Sequence, residues 1–369
     1  MGHGGVGRSS PVFVWLLLVS VAFLALIYIA PFPGPSDLHS SMVRASEKMT
    51  QATLALRECR LDLGLSIDPK VDLNQTGLIG SEYSSITTSV GQLEAKRTTT
   101  NPNSAGLIVL LLHEAGVHRG DTIAVGASGS FPALIVATLC AASAMEVDVL
   151  LIPSLGASQW GANDPRFHLL IMLECLGDLG LVHRQPVAVS MGGDSDVGAN
   201  MALEGRSILE EAMAASGLKI IREPDLEINI ALRIQFLEAG AEGATIRAFV
   251  NIGGTYANLG SDSLVLEVKP GVARLRRFPP PERQGMLFAM AARGIPVIHL
   301  LFIRGLAEEY GLAWDPRPLP LPGQDSLYRR VREQSLTFLI LGLVYLAIVI
   351  ALLLFHSLRF RRPYDAGSA

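Results

Sequence analysis

The sequence predicts an α/β fold, a mainly parallel sheet flanked by helices, set between two transmembrane helices. Three observations predict it. From residue 105 to residue 301, apolar runs of strand length alternate with runs of helix length. The strand-like runs end in turns rich in Gly, Ser and Asn. Two uncharged stretches, 11–30 and 336–355, stand at either end of this alternation. Strands alternating with helices of roughly 10–15 residues form βαβ units. About 20 apolar residues is what a helix needs to cross roughly 30 Å of hydrocarbon.

Composition sets the outer bounds. Of 369 residues, 49% are hydrophobic and 17% charged, against about 25% charged in ordinary soluble domains. A disordered chain is excluded, since disorder needs low hydrophobicity and high net charge. Three cysteines in a chain this long exclude a disulfide framework. Cys59, Cys140 and Cys175 are an odd set, which suits a reducing compartment slightly better. A net charge of −4 and the lack of a basic stripe argue against a nucleic-acid partner.

Taken in order, a tail at 1–10 precedes the first apolar stretch, and a second tail, 357–369, follows the other. Both stretches read as uncleaved anchors, so the bilayer is an expected partner and the cell membrane the expected location. Basic residues near the two helices nearly tie, and the RFRR run after the second favours an extracytoplasmic domain. Residues 31–104 read as a helix at 41–61 followed by a Gly/Ser/Thr-rich loop packing on the main domain. The α/β domain spans 105–312. Its strands are expected at 122–125, 147–152, 186–190, 218–221, 247–252 and 296–301. Its helices are expected at 105–116, 131–145, 167–176, 202–216, 225–239 and 283–293. The Pro-rich run 313–334 reads as a semi-rigid linker back to the membrane.

In an open parallel sheet the carboxyl ends of the strands share one edge, where ligands bind. Four turns there carry the candidate residues: Gly126, Ser128, Gly129 and Ser130; then Ser158; then Asp194; then Asn251 and Thr255. Glycine lets a backbone approach a ligand closely, and helix N-termini offer free N–H groups to anions. Ser128 and Ser130 suit anion binding or capping of the next helix. Ser128 as a nucleophile fits less well, because the elbow pattern needs Gly where Ser130 stands. Lys96 and Arg97 form a basic pair in the loop that, folded over the edge, would clamp an anion. Asp194 and Asp196 suit a helix cap better than a cation site. Residues 72–83 imitate a calcium loop but put Tyr83 where the bidentate acid belongs. No His/Cys spacing typical of a metal site occurs, and neither a metal nor a cofactor is expected.

Three segments of this chain, LALRECRLDLGLSIDPKVDLNQTGLIGSEYSSITTSVGQLEAKRTTTNPN, RGDTIAVGASGSFPALIVATL and SLGASQWGANDP, resemble the poly-gamma-glutamate system protein family. The resemblance covers roughly residues 54–254. It implies a membrane component of poly-γ-glutamate (capsular polymer) synthesis or export, with the other proteins of that apparatus as partners and the polyanionic polymer as a possible ligand. It carries no assigned catalytic residues. Three functions follow as expectations. One is a non-catalytic accessory that binds carboxylates of the polymer or a precursor. Another is a serine- or metal-dependent enzyme acting on γ-glutamyl bonds. A third is a small-molecule receptor.

Overall fold

The computed structural model describes residues 11–29, 37–177, 180, 184–328 and 336–359. The expected tail 1–10, residues 360–369 of the expected tail 357–369, and residues 329–334 of the expected linker lie outside the described residues. The chain divides into two compact units, residues 1–36 with 330–369 and residues 37–329.

The first unit contains helix α1 (Pro11–Ile29) and the final helix of the chain, α12 (Leu336–Arg359). They meet where Tyr345 stacks on Phe23, ring centroids 4.4 Å apart, and where its hydroxyl lies 2.8 Å from Ser20 Oγ. Among the described residues no helix is long and apolar enough to cross a membrane. The expectation of two transmembrane helices, with a bilayer partner and a two-pass location in the cell membrane, is corrected on that finding.

The second unit is an α/β fold around a seven-stranded sheet. The strands are β1 (Thr122–Ser128), β2 (Asp148–Ser154), β3 (Val189–Ser190), β4 (Ile220–Ile221), β5 (Ile246–Ile252), β6 (Gly271–Ala273) and β7 (Val297–Leu300). Their order is β4-β3-β2-β1-β5-β7-β6, and all pairings are parallel except that of β6 with β7. Central β1 is buried along its whole length, as a strand covered on both faces must be. The next three strands, β2 to β4, are laid down to one side of β1, and the chain then returns to its other side with β5. That reversal is a topological switch point, where the loops leaving two neighbouring strands diverge and open a crevice.

Strand alternation sends side chains to two faces. Ala124, Leu150, Ile152, Phe249 and Val297 pack into one core with Leu226, Ile230 and Leu237 of α8 (Leu226–Ala241) and with Leu287 and Phe288 of α10 (Met286–Ala292). The other layer holds α2 (Asp37–Asp62), α4 (Asn103–Glu114) and α5 (Pro132–Met145), which pack on one another. Along α2 the buried residues are Met42, Ala45, Ser46, Met49, Ala52, Thr53, Leu56 and Arg60. That three-and-four spacing makes one stripe of a helix, and each large apolar side chain buried there contributes about 1.5–3 kcal/mol. A disulfide joins Cys59 at the end of α2 to Cys175 in α6 (Leu169–Gly177). The odd-cysteine argument for a reducing compartment is therefore corrected. Two of the three thiols are paired, only Cys140 is free and buried, and such bonds persist in oxidising surroundings.

The Gly/Ser/Thr-rich loop and the Pro-rich stretch are both tied down by hydrogen bonds. Asp72 closes the 72–77 turn by accepting from the Gly77 N–H at 2.7 Å and from the Thr76 hydroxyl. Residues 80–91 then run along 156–163, joined by Thr88 N to Ala157 O at 2.8 Å, Gln159 N to Ser89 O at 2.9 Å and Trp160 N to Ser81 O at 2.9 Å. The Pro-rich stretch behaves as a strap within this unit. Asn74 donates to the Pro316 carbonyl, Asn103 to the Leu321 carbonyl, and Asn101 to Asp325 at 2.7 Å.

Candidate functional site

At the switch point the loops after β1, β2, β3, β5 and β7 surround a cavity of about 500 Å³, inside the roughly 300–1,000 Å³ range of small-molecule sites. Residues 88–92 and helix α3 (Leu93–Thr99) form another part of its wall. The start of α11 (Ile303–Tyr310) contributes Phe302, Ile303 and Arg304.

The charged side chain set deepest in this wall is Lys96, 3% exposed. Its Nζ donates to Ser158 Oγ at 2.7 Å and to the Ser130 carbonyl. It also stands over the Phe131 ring, 3.8 Å from the centroid. Burial removes the ammonium from water and lowers its pKa from 10.5 to about 7. Among the described residues no acid offsets that burial. At neutral pH a large fraction of Lys96 is therefore an uncharged amine.

Three serines are interlocked beside it. The Ser128 hydroxyl, at the end of β1, donates to Ser130 Oγ at 2.9 Å and accepts from the Ser130 N–H at 3.1 Å. Ser130 Oγ in turn accepts from the Ser158 N–H at 2.9 Å. Ser158 is thus held by its backbone from one side and by Lys96 from the other. Pro132 in the first turn of α5 has the fixed φ that starts a helix. Neither Ser128 nor Ser130 caps that helix, whose N-cap is Phe131 without a side-chain bond.

The other candidate residues separate into two sets. Lys96, Ser128, Ser130, Ser158, Asp194 and Thr255 all line the cavity, although Lys96 does so from a helix and not from a loop. Thr255 also caps α9 (Tyr256–Leu259), accepting from the Asn258 N–H. Gly126, Gly129, Asn251 and Arg97 are not in the wall. A Cβ on Gly126 would meet Asn258 Oδ1 at 2.5 Å and the Phe249 ring at 2.9 Å, so this glycine serves packing. Gly129 lets its backbone pass the Leu155 carbonyl, which a Cβ would approach to 2.7 Å. Asn251 is fully buried and donates to His299 Nδ1 at 2.8 Å and to the Gly253 carbonyl. Arg97 makes a two-pronged pair with Asp315 at 2.7 and 2.6 Å, binding the strap and not a ligand. Adjacent positions on α3 point about 100° apart, so the Lys96–Arg97 pair cannot act as one clamp.

The two aspartates also part company. Asp196 is fully buried and pairs with Arg233 of α8 at 2.7 Å. It accepts further bonds from Ser190 Oγ at 2.8 Å and Asn229 Nδ2 at 3.0 Å. Asp194 is exposed at the cavity rim. Neither caps the following helix α7 (Leu203–Ala215), whose N-cap is Ala202. Among the described residues no group of three or more His, Cys, Asp or Glu side chains could hold a metal ion.

Sequence reading did not single out Arg304, Phe302 or Tyr256, which also line the cavity. The end of β7 was recognised as a strand, but its exit, LLFIRG, has no Gly/Ser cluster to mark it as a fifth loop of the site. Compared with known protein families, curated proteins and solved structures, the chain finds no match.

Proposed function

We propose that this chain is a component of poly-γ-glutamate synthesis or export whose α/β domain receives the carboxylate groups of a γ-glutamyl chain end or precursor in the switch-point cavity. The observation that carries this reading is the placement of the donors in the wall. Arg304 sets a cation at its exposed side, Lys96 adds an amine deeper in, and the one carboxylate, Asp194, stands at the rim. Arg304 is the exposed member; its pair with Glu308 at 3.0 Å is a surface i,i+4 contact, worth about 0.3–0.5 kcal/mol, so an incoming carboxylate can displace it. The first N–H groups of α11 adjoin Arg304 and favour an anion at the same place. A cavity of about 500 Å³ receives a chain end better than a long polymer, and the acidic balance of the chain, net −4, argues against a long electropositive track.

The test is calorimetric titration with γ-linked diglutamate and with its neutral amide counterpart. The carboxylate ligand is expected to bind and the amide not. Arg304→Gln is expected to weaken the carboxylate about tenfold, which is roughly 1.4 kcal/mol. Equal binding of the two ligands, or no effect of Arg304→Gln, would overturn the reading.

A further inference from the structure

We infer that Lys96 and Ser158 form a base–nucleophile pair for acyl transfer at the cavity wall, with a γ-linked glutamyl amide as the substrate class. The substrate class rests on the carboxylate reading above; the pair itself does not.

A serine hydroxyl is a weak nucleophile until a base within hydrogen-bond reach takes its proton. Serine–lysine pairs do this where the lysine is kept uncharged. Here the Nζ to Oγ distance is 2.7 Å, inside the 2.6–3.2 Å reach of a working pair. Both side chains are buried yet both line the cavity, at 3% and 6% exposure, so an acyl group can reach them. The uncharged amine keeps one N–H on the Ser130 carbonyl and turns its lone pair to the Ser158 O–H. Burial sets this protonation state. The charged groups on the packed elements do not interfere. They are Glu94 and Arg97 on α3 itself and Arg304, Glu308 and Glu309 on α11; α5 carries none. Asp194, from the loop after β3, makes no bond to Lys96.

The neighbouring serines are less suited. Ser128 spends its proton on Ser130 Oγ, and Ser130 Oγ receives both Ser128 and the Ser158 N–H. Each lacks a base and acts as a positioning residue for Ser158. The wall residues Ser130 and Phe131 lead directly into α5. The positive end of its macrodipole therefore adjoins the place where an oxyanion would develop.

The reaction balances without a cofactor. Ser158 Oγ attacks the amide carbonyl while Lys96 Nζ takes its proton. The C–N bond then breaks, the departing amine takes that proton from Lys96, and an ester remains on Ser158. Water, or the amine of another glutamyl unit, attacks the ester with Lys96 again accepting the proton and returning it to Ser158 Oγ.

The experiment is fluorophosphonate labelling of the full chain across pH, followed by peptide mapping. The expected adduct is on Ser158, with a rate that rises through neutral pH to a plateau. Lys96→Met is expected to slow it about 100-fold or more, the usual scale of general-base help. Labelling of Ser128 or Ser130 instead, or an unchanged rate in Lys96→Met, would overturn the pair. Ser158→Cys guards against a variant that fails to fold. Its iodoacetamide alkylation at pH 7 should be fast, and slow once Lys96→Met is added; equal rates overturn the pair. Chromogenic anilides then separate the two readings. Release from γ-glutamyl anilide but not acetyl anilide supports both. Equal release from both keeps the pair and overturns the carboxylate reading. Carboxylate-dependent binding with no labelling does the reverse.

Discussion

Two buried basic side chains stand near the carboxyl edge of the sheet, and their surroundings differ completely. Arg233, 1% exposed, meets the fully buried Asp196 at 2.7 Å and also bonds Ser190 Oγ and Asn229 Oδ1. Lys96 is almost as buried but meets only neutral partners: a hydroxyl, a carbonyl and an aromatic face. The first is compensated and lies behind the wall, pinning the turn after β3. The second is uncompensated and lies in the wall itself. A buried charge without a partner costs several kcal/mol or gives up its proton. Groups perturbed in this way concentrate at functional sites.

The comparison breaks most visibly at Asp196. Asp196→Ala leaves the Arg233 guanidinium buried without its carboxylate, and the expected loss is about 3–5 kcal/mol, read by urea denaturation. A loss below about 1 kcal/mol would remove the contrast between the two basic side chains. Next comes the covalent tie outside both clusters. Reducing Cys59–Cys175, or replacing Cys175 by Ser, frees a separation of 116 residues and should cost about 2–4 kcal/mol, seen as a lower melting temperature. Below that lies Gly126→Ala, which forces a methyl group against Asn258 and Phe249 and should cost about 1–3 kcal/mol.

The smallest change in stability is expected at Lys96, and there the direction carries the information. Unfolded lysine titrates near 10.5 and folded Lys96 near 7. Between those values the unfolded chain holds more protons, so this residue makes stability climb as pH rises from about 7 towards 10.5. Lys96→Met fills a similar volume without the charge. It is expected to flatten that part of the stability curve and to be neutral or stabilising at pH 6. A variant clearly less stable at pH 6 would show that Lys96 is structural, as Arg233 is. His168 and His299, both held near 4 by burial, add an independent loss of stability as pH falls from 6.5 towards 4.

Much of the fold was legible in the sequence. Six of the strands were visible as apolar runs, four of them ending in turns rich in Gly, Ser and Asn. The short edge strand β6 was not, because Gly271–Ala273 is too brief for a period to show. Helix α11 was missed as well, since it follows β7 without a turn signal. The cavity was legible in part. Ser128, Ser130, Ser158, Asp194 and Thr255 sit on recognisable strand exits, so topology alone carries them to one edge. Arg304 had no such mark. Lys96 and Arg97 looked like one basic pair, and their separation into a wall lysine and a strap arginine depends on residues as far off as Asp315.

What the sequence determined by itself is the α/β alternation and the edge on which the loops gather. Those follow from local periodicity and turn chemistry, which act over a few residues. What only the tertiary structure decided is which groups meet and how they are charged. The Lys96–Ser158 contact joins positions 62 apart, the Arg233–Asp196 pair positions 37 apart and the disulfide positions 116 apart. The protonation of Lys96 likewise follows from burial beneath loops that no local pattern specifies. Electrostatics and desolvation depend on distance through space, and that distance exists only once the sheet has been wound.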